Sequence, residues 1–275
     1  MSVLWGANPV VIKLGLEDAP PLRLAWMRFL VGGGVIVLWA WATGRLTGLR
    51  VTGETWRPLA VLGLLFTAQI GTMNVATALT TAAHATVVLN MYAVHTVLLA
   101  HFMIPGDQLT VRKLTGVLIA YGGIVLLFAR ELGTGAPTLL GDAIMFVSGI
   151  ILAERTVYLA RAVQHFDPVT LLLSQAGIGT AVFLMASALV EPSSTRWTGQ
   201  LVASIAYQGV LVAGFNFVVN LWLLKRYRAT TLAAFFLTQP IFGVIAAALL
   251  TGEPLTPVLL LASLAVAAGI GLVSR

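Results

Sequence analysis

The sequence predicts an all-α membrane protein with ten transmembrane helices in two inverted five-helix repeats. Three observations predict it. Of the 275 residues, 59% are hydrophobic and only 9% are charged, where an ordinary soluble domain carries roughly 25% charged residues. Long intervals such as 58–106, 168–190, 197–224, 229–252 and 254–274 hold no Lys, Arg, Asp or Glu, and a helix needs about 20 apolar residues to cross a ~30 Å hydrocarbon core. The two halves match each other at an offset of about 147 residues. A mean hydropathy of +0.95 excludes both a water-soluble enzyme and a disordered chain. The runs are continuous, as in Val117 to Phe128, whereas strands of an outer-membrane barrel alternate apolar and polar.

Taken in order, the spans are predicted at about 1–14, 22–42, 58–78, 83–103, 111–128, 139–160, 168–190, 200–224, 229–250 and 255–273. The first would reach only about 21 Å at 1.5 Å per residue. Either residues precede Met1, or the helix sits in a thinned or shielded spot. It is not a signal peptide: no basic region precedes it, and Asn8-Pro9 interrupts the apolar run. The third and fourth share one charge-free interval, and Thr80-Thr81-Ala82-Ala83-His84 suits a tight turn between them. The sixth reaches full length only if Asp142 and Glu154 lie inside the helix. Gly116, Gly122 and Gly123 in the fifth span, with Gly269 and Gly271 in the tenth, predict close helix packing. Those two spans would hold the halves together or meet a second protomer. The longest connection, 43–57, leaves no room for an extramembrane domain.

Charge sets the orientation. The even-numbered loops and the C-terminal tail carry ten basic residues, Arg45, Arg50, Arg57, Arg112, Lys113, Arg161, Lys225, Arg226, Arg228 and Arg275. The odd loops carry Arg23, Arg130 and Arg196, or four residues if Lys13 is counted. Lys and Arg mark the cytoplasmic side, so both termini are expected in the cytoplasm of a cell with a bacterial-type inner membrane. This accounts for the net charge of +6 without a polyanion partner: the basic residues form no dense stripe, and no nucleic-acid binding is expected. There is no Cys, hence no disulfide, thiolate metal site or Cys nucleophile. No cofactor and no metal are called for.

The halves, 1–130 and 138–275, align at several points. Pro21 precedes Arg28 by seven residues, as Pro168 precedes Gln175; Gly106-Asp107-Gln108-Leu109-Thr110 matches Gly252-Glu253-Pro254-Leu255-Thr256. Five spans is an odd number, so the second copy enters from the opposite side. Inverted repeats of this kind build many secondary transporters, with the substrate site at their interface near the midplane.

Polar residues within the spans are the candidates. Arg28 is read as snorkelling to the outer surface or held in an ion pair, against a direct substrate role. Glu154 and Tyr158 share a stripe of the sixth span with Arg161. The carboxylate either binds a substrate ammonium or carries a proton, or pairs with Arg155 or Arg161. Asp142 complements the dipole at a helix start. His84 and His95 share a stripe, about 16 Å apart along the axis and too distant for one metal; they line a cavity or bond neighbouring helices. Asn216 and Asn220 are interhelical glue or substrate donors. Thr231, Phe235, Thr238 and Phe242 form a stripe beside Gln239-Pro240. With no Lys/Arg pair seen mid-span, the cavity is expected to be nearly uncharged.

Trp5-Gly6-Ala7-Asn8, Pro21 with Arg28, Gly141-Asp142, Gln239-Pro240 and Gly252-Glu253-Pro254-Leu255-Thr256 together resemble the EamA-type members of the drug/metabolite transporter superfamily. The similarity covers essentially the whole chain. In length and span count the sequence looks most similar to the YddG-type exporters of aromatic amino acids. The resemblance implies a central cavity lined by the first, third, fourth, sixth, eighth and ninth helices, alternating access, and a cavity place for Trp5 and Asn8. One departure stands out: Met91 occupies the place of Pro240, so the kink of the ninth helix would lack a partner. The expected substrate-cavity residues are Trp5, Asn8, His84, His95, Glu154, Tyr158, Asn216, Phe235, Thr238 and Gln239. The implied function is export of amino acids, aromatic ones included, or similar metabolites; the alternative is a broad drug or lipophilic-cation efflux permease. Partners reduce to a small-molecule substrate and the bilayer, with monomer or homodimer open. An intramembrane enzyme is not expected, since neither His-Glu-x-x-His nor Gly-x-Ser-x-Gly occurs. Nor is a channel, for want of a filter segment.

Overall fold

The computed structural model describes residues 1–45, 53, 55–103, 106, 108–134, 136–227, 232 and 236–274. Among the described residues the chain is helical, with no strand. The helices are α1 (Ser2–Leu16), α2 (Pro21–Ala42), α3 (Trp56–Leu79), α4 (Ala82–Met103), α5 (Val111–Thr134), α6 (Leu139–His165), α7 (Pro168–Val190), α8 (Gly199–Leu224), α9 (Gln239–Thr251) and α10 (Pro257–Val273). Seven are long and apolar enough to cross a membrane; α1, α9 and α10 are shorter, at 15, 13 and 17 residues.

Local sequence sets the ends. Pro21, Pro168 and Pro257 open α2, α7 and α10, where a missing N–H leaves no bond unmade. Asp167 accepts from the Val169 and Thr170 N–H groups, and Thr81, Thr198 and Thr256 cap α4, α8 and α10 in the same manner. Only Thr80 and Thr81 separate α3 from α4. Helix α9 stops at Gly252, whose φ of +67° is left-handed and favours glycine.

Two helices depart from regular α geometry along their length. Helix α4 divides between Ala82–Leu89 and Tyr92–Met103, and Asn90 Nδ2 donates to Thr86 O at 2.7 Å, a side-chain bond that competes with the helical ladder. The stretch Tyr207–Asn216 of α8 is π-helical, a form that recurs at functional sites. Helix α9 has Pro240 in its first turn. A proline there leaves no helical bond unmade, so the described part of α9 opens on its proline and is not kinked by it. In α4 an i→i−3 bond from Met91 N–H to Val88 O marks the break.

Packing is closest where side chains are smallest. A Cβ added to Gly116 of α5 would lie 2.8 Å from Gly269 O of α10, and one on Gly269 would lie 2.6 Å from Gly116 O. Gly123 meets Ala262 and Ala265 in the same seam. Gly122 and Gly271 meet nothing within 4 Å, so these two do not serve the close packing predicted for them. Large apolar side chains such as Leu30, Leu38, Leu118, Val125, Leu249 and Leu264 stay exposed on the perimeter, the surface that lipid covers. Inside, one apolar cluster gathers Val10, Leu24, Phe66, Val88 and Ala120, and a second gathers Ile36, Leu62, Leu159, Leu171 and Leu221. Where the two clusters meet, the interior opens.

Candidate functional site: a central cavity with two buried arginines

A cavity of about 130 Å³ lies at the centre. Eight helices line it; α5 and α10 contribute nothing. Beyond the helices that the family resemblance implies, α2 adds Arg28 and Phe29, and α7 adds Leu172 and Gln175. The break in α4, the π-helical stretch of α8 and the first turn of α9 each bring a polar side chain to the wall: Asn90, Gln208 and Gln239.

Arg28 does not snorkel outward. It is 2% exposed, and its Nη1 donates to Gln208 Oε1 at 2.7 Å. Gln208 Nε2 donates in turn to Ser204 Oγ, and Ser204 Oγ to Val11 O, both at 2.7 Å. A chain of bonds through α8 thus anchors an α2 side chain to the α1 backbone. Arg155 of α6 is the second buried cation. Its Nε donates to Gln175 Oε1 at 2.9 Å and its Nη1 to Gln69 Oε1 at 3.3 Å. Both guanidiniums lie over aromatic rings, Arg28 over Phe29 at 4.7 Å and Arg155 over Phe66 at 4.6 Å and Phe217 at 5.5 Å. The rings recover part of the desolvation cost. No Asp or Glu belongs to the lining, so the expectation of a nearly uncharged cavity is corrected: amide oxygens satisfy N–H groups without cancelling charge.

Of the predicted site residues, the cavity gathers Trp5, Asn8 and Gln239. Trp5 packs on Phe236 with centroids 5.0 Å apart. Asn8 Oδ1 and Gln239 Nε2 are buried without a hydrogen-bond partner among the described residues. The others stand elsewhere. His84 sits at the start of α4 with Nδ1 2.8 Å from Asp142 Oδ2, and Thr80 Oγ1 also donates to Asp142. His95 is wedged against the rings of Tyr121 and Phe146. Glu154 is exposed, while Arg155, one residue on and about 100° around the helix, points inward. Tyr158 donates to Pro58 O at 3.4 Å, outside the lining. Asn216 is fully buried but off the cavity, whereas Asn220 one turn later lines it. Thr238 takes the N-cap position of α9 outside the lining. Phe235 lies outside the described residues; Phe236 is the aromatic at the wall. Sequence reasoning missed Arg155 as a cavity group. The available signal was that it and Arg28 are basic residues inside spans, which a snorkelling or ion-pair reading absorbed.

One end of the bundle is clasped by carboxylates. Glu191, after α7, accepts from the Leu22 and Arg23 N–H groups at 2.7 and 2.9 Å. Glu253, before α10, accepts from the Ala82 and Ala83 N–H groups at 2.7 and 2.8 Å. Each carboxylate thus closes the positive N-terminal end of a helix from the other half of the chain. Asp18 pairs with Arg196 at 2.9 Å and accepts from Thr198 Oγ1. Lys13 Nζ donates to Thr77 O and Thr80 O at 3.0 and 2.6 Å, capping the end of α3.

Comparison with known proteins agrees with this architecture. A crystal structure superposes with a TM-score of 0.74 at 20% identity, covering 98% of this chain and 94% of that one, which shows a shared fold. An "Uncharacterized transporter" of Archaeoglobus fulgidus is 29% identical over 251 residues, 88% of this chain and 84% of that protein. A "Probable amino-acid metabolite efflux pump" of Escherichia coli (strain K12) is 28% identical over 278 residues, 98% and 90% of the two chains. The EamA-like transporter family matches twice, at residues 1–129 and 139–275. This chain is a multi-pass membrane protein that belongs to the EamA-like transporter family.

Proposed function

We propose that this protein is an inner-membrane secondary transporter exporting amino acids or similar small metabolites by alternating access through the central cavity, with both termini cytoplasmic. The observation that carries the reading is the cavity itself: lined by eight helices from both family-matching halves, with polar side chains set among apolar ones. The reading takes the ten helices as ten spans in two inverted halves, with α1, α9 and α10 as short members. Exchanging the halves turns the α3–α7 contact into α8–α2 and the α1–α9 contact into α6–α4, and both members of each pair occur. Trp5, Asn8 and Gln239 are the substrate-contacting residues among those expected, joined by Arg28 and Arg155. The name of the Escherichia coli relative favours amino-acid metabolites as cargo. Two arginines and no carboxylate in the lining weigh against a lipophilic cation.

Uptake of a panel of labelled amino acids into liposomes bearing the purified protein, with and without a pH gradient, tests the reading. Saturable uptake of several amino acids is expected. Uptake of lipophilic cations alone would replace the exporter with a drug permease.

A further inference from the structure

Arg28 presents one unused edge of its guanidinium. Nη1 is taken by Gln208, but Nε and Nη2 are buried without a partner among the described residues. These two N–H groups lie side by side along one edge of the planar group, and that edge matches the two oxygens of a carboxylate in a bidentate pair. A buried donor left without an acceptor costs free energy, so this arrangement wants an acceptor from the cavity that Arg28 lines.

Two further observations define what the acceptor belongs to. Arg155 adds a second positive charge whose protein partners are the neutral amides of Gln175 and Gln69. Asn8 and Asn90 also line this space, and the side-chain oxygen of each is buried without a partner among the described residues; Asn90 Nδ2 is spent on Thr86 O. The wall therefore offers two cations, a free bidentate fork and two neutral acceptors. Phenylalanine rings beside the guanidiniums leave little for a phosphate, which brings three strong acceptor oxygens.

Resting on the transporter reading, we propose that the cavity selects organic carboxylates of net negative charge that also carry an N–H or O–H group, such as N-acyl amino acids and hydroxy acids. The carboxylate seats on the Nε/Nη2 edge of Arg28, Arg155 balances the remaining charge, and Asn8 and Asn90 accept from the substrate's donor.

Binding to the purified protein in detergent, followed by tryptophan fluorescence because Trp5 lines the cavity, tests this apart from transport. N-acetyl-leucine, leucine and leucinamide keep one side chain and carry net charges of −1, 0 and +1. N-acetyl-leucine should bind about tenfold or more tightly than leucine, and leucinamide most weakly. Arg28→Gln should weaken N-acetyl-leucine about tenfold or more, and Arg28→Lys should restore only part, since it keeps the charge and loses the fork. Equal binding of leucine or leucinamide, or unchanged affinity in Arg28→Gln, would overturn the proposal. Displacement of N-acetyl-leucine by equimolar inorganic phosphate would overturn the choice of carboxylate. Anion binding without any liposome flux would uphold this site and remove the transporter reading alone; leucine flux without anion preference would do the reverse.

Discussion

Arg155 donates to Gln175 at 2.9 Å, and Gln175 stands about 147 residues after Arg28, which itself donates to Gln208 at 2.7 Å. The position that is an arginine in the first half is a glutamine in the second, and that glutamine receives an arginine from α6 instead. Each half thus brings one cation to the cavity; Gln208 of the second half holds Arg28, while Gln175 of the second half and Gln69 of the first hold Arg155. The cations come from different helices, α2 and α6, so the polar wall is not symmetric.

Neighbouring residues on α6 should behave oppositely. Glu154→Gln changes an exposed side chain and is expected to alter flux, and its pH dependence, by less than about twofold; surface substitutions usually cost within ±0.5 kcal/mol. Arg155→Gln removes a donor from both Gln175 and Gln69 and is expected to raise the KM for substrate about tenfold, since bonds to charged groups contribute about 1.5–3 kcal/mol. Steady-state flux in liposomes for both variants checks this.

Glu253→Gln and Glu191→Gln should each lower the melting temperature by several degrees. Each replaces a charged group that accepts two helix-terminal N–H groups with a neutral amide, at a cost of about 1–2 kcal/mol. The two carboxylates share no partner, so the double variant is expected to show the sum of the single effects. Thermal unfolding followed in detergent gives the answer.

The α5–α10 seam should discriminate between glycines. Gly269→Ala and Gly116→Ala place a methyl against a backbone oxygen and are expected to destabilise by about 1–3 kcal/mol. Gly122→Ala and Gly271→Ala meet open space and are expected to be neutral or slightly stabilising, as Ala favours helix over Gly by about 1 kcal/mol. Melting temperatures of the four variants separate the two pairs.

The spans were legible because hydrocarbon length and charge exclusion act on composition alone: α7 begins and ends where its charge-free run does. The turn at Thr80 and Thr81 was legible for the same reason. Helix phase was not. A helix turns about 100° per residue, so a register uncertain by one residue exchanges Glu154 for Arg155 at the wall. Asn216 and Asn220 show a second limit. They share a stripe, but Asn216 closes the π-helical stretch and is buried off the cavity, and only Asn220, one α-helical turn later, reaches it. The break in α4 was hidden because no proline marks it. Tertiary pairs such as His84 with Asp142 join residues 58 apart in sequence, and no local pattern announces them.

The central claim is that substrate passes through the cavity between the halves, and a Cys-free chain lets one measurement address it. Met73 lines the cavity; Leu118 is 65% exposed on the perimeter. In liposomes, modification of the Met73→Cys variant with a small methanethiosulfonate reagent is expected to abolish flux, while modification of the Leu118→Cys variant leaves it unchanged. Full modification at Met73→Cys with undiminished flux would contradict the account.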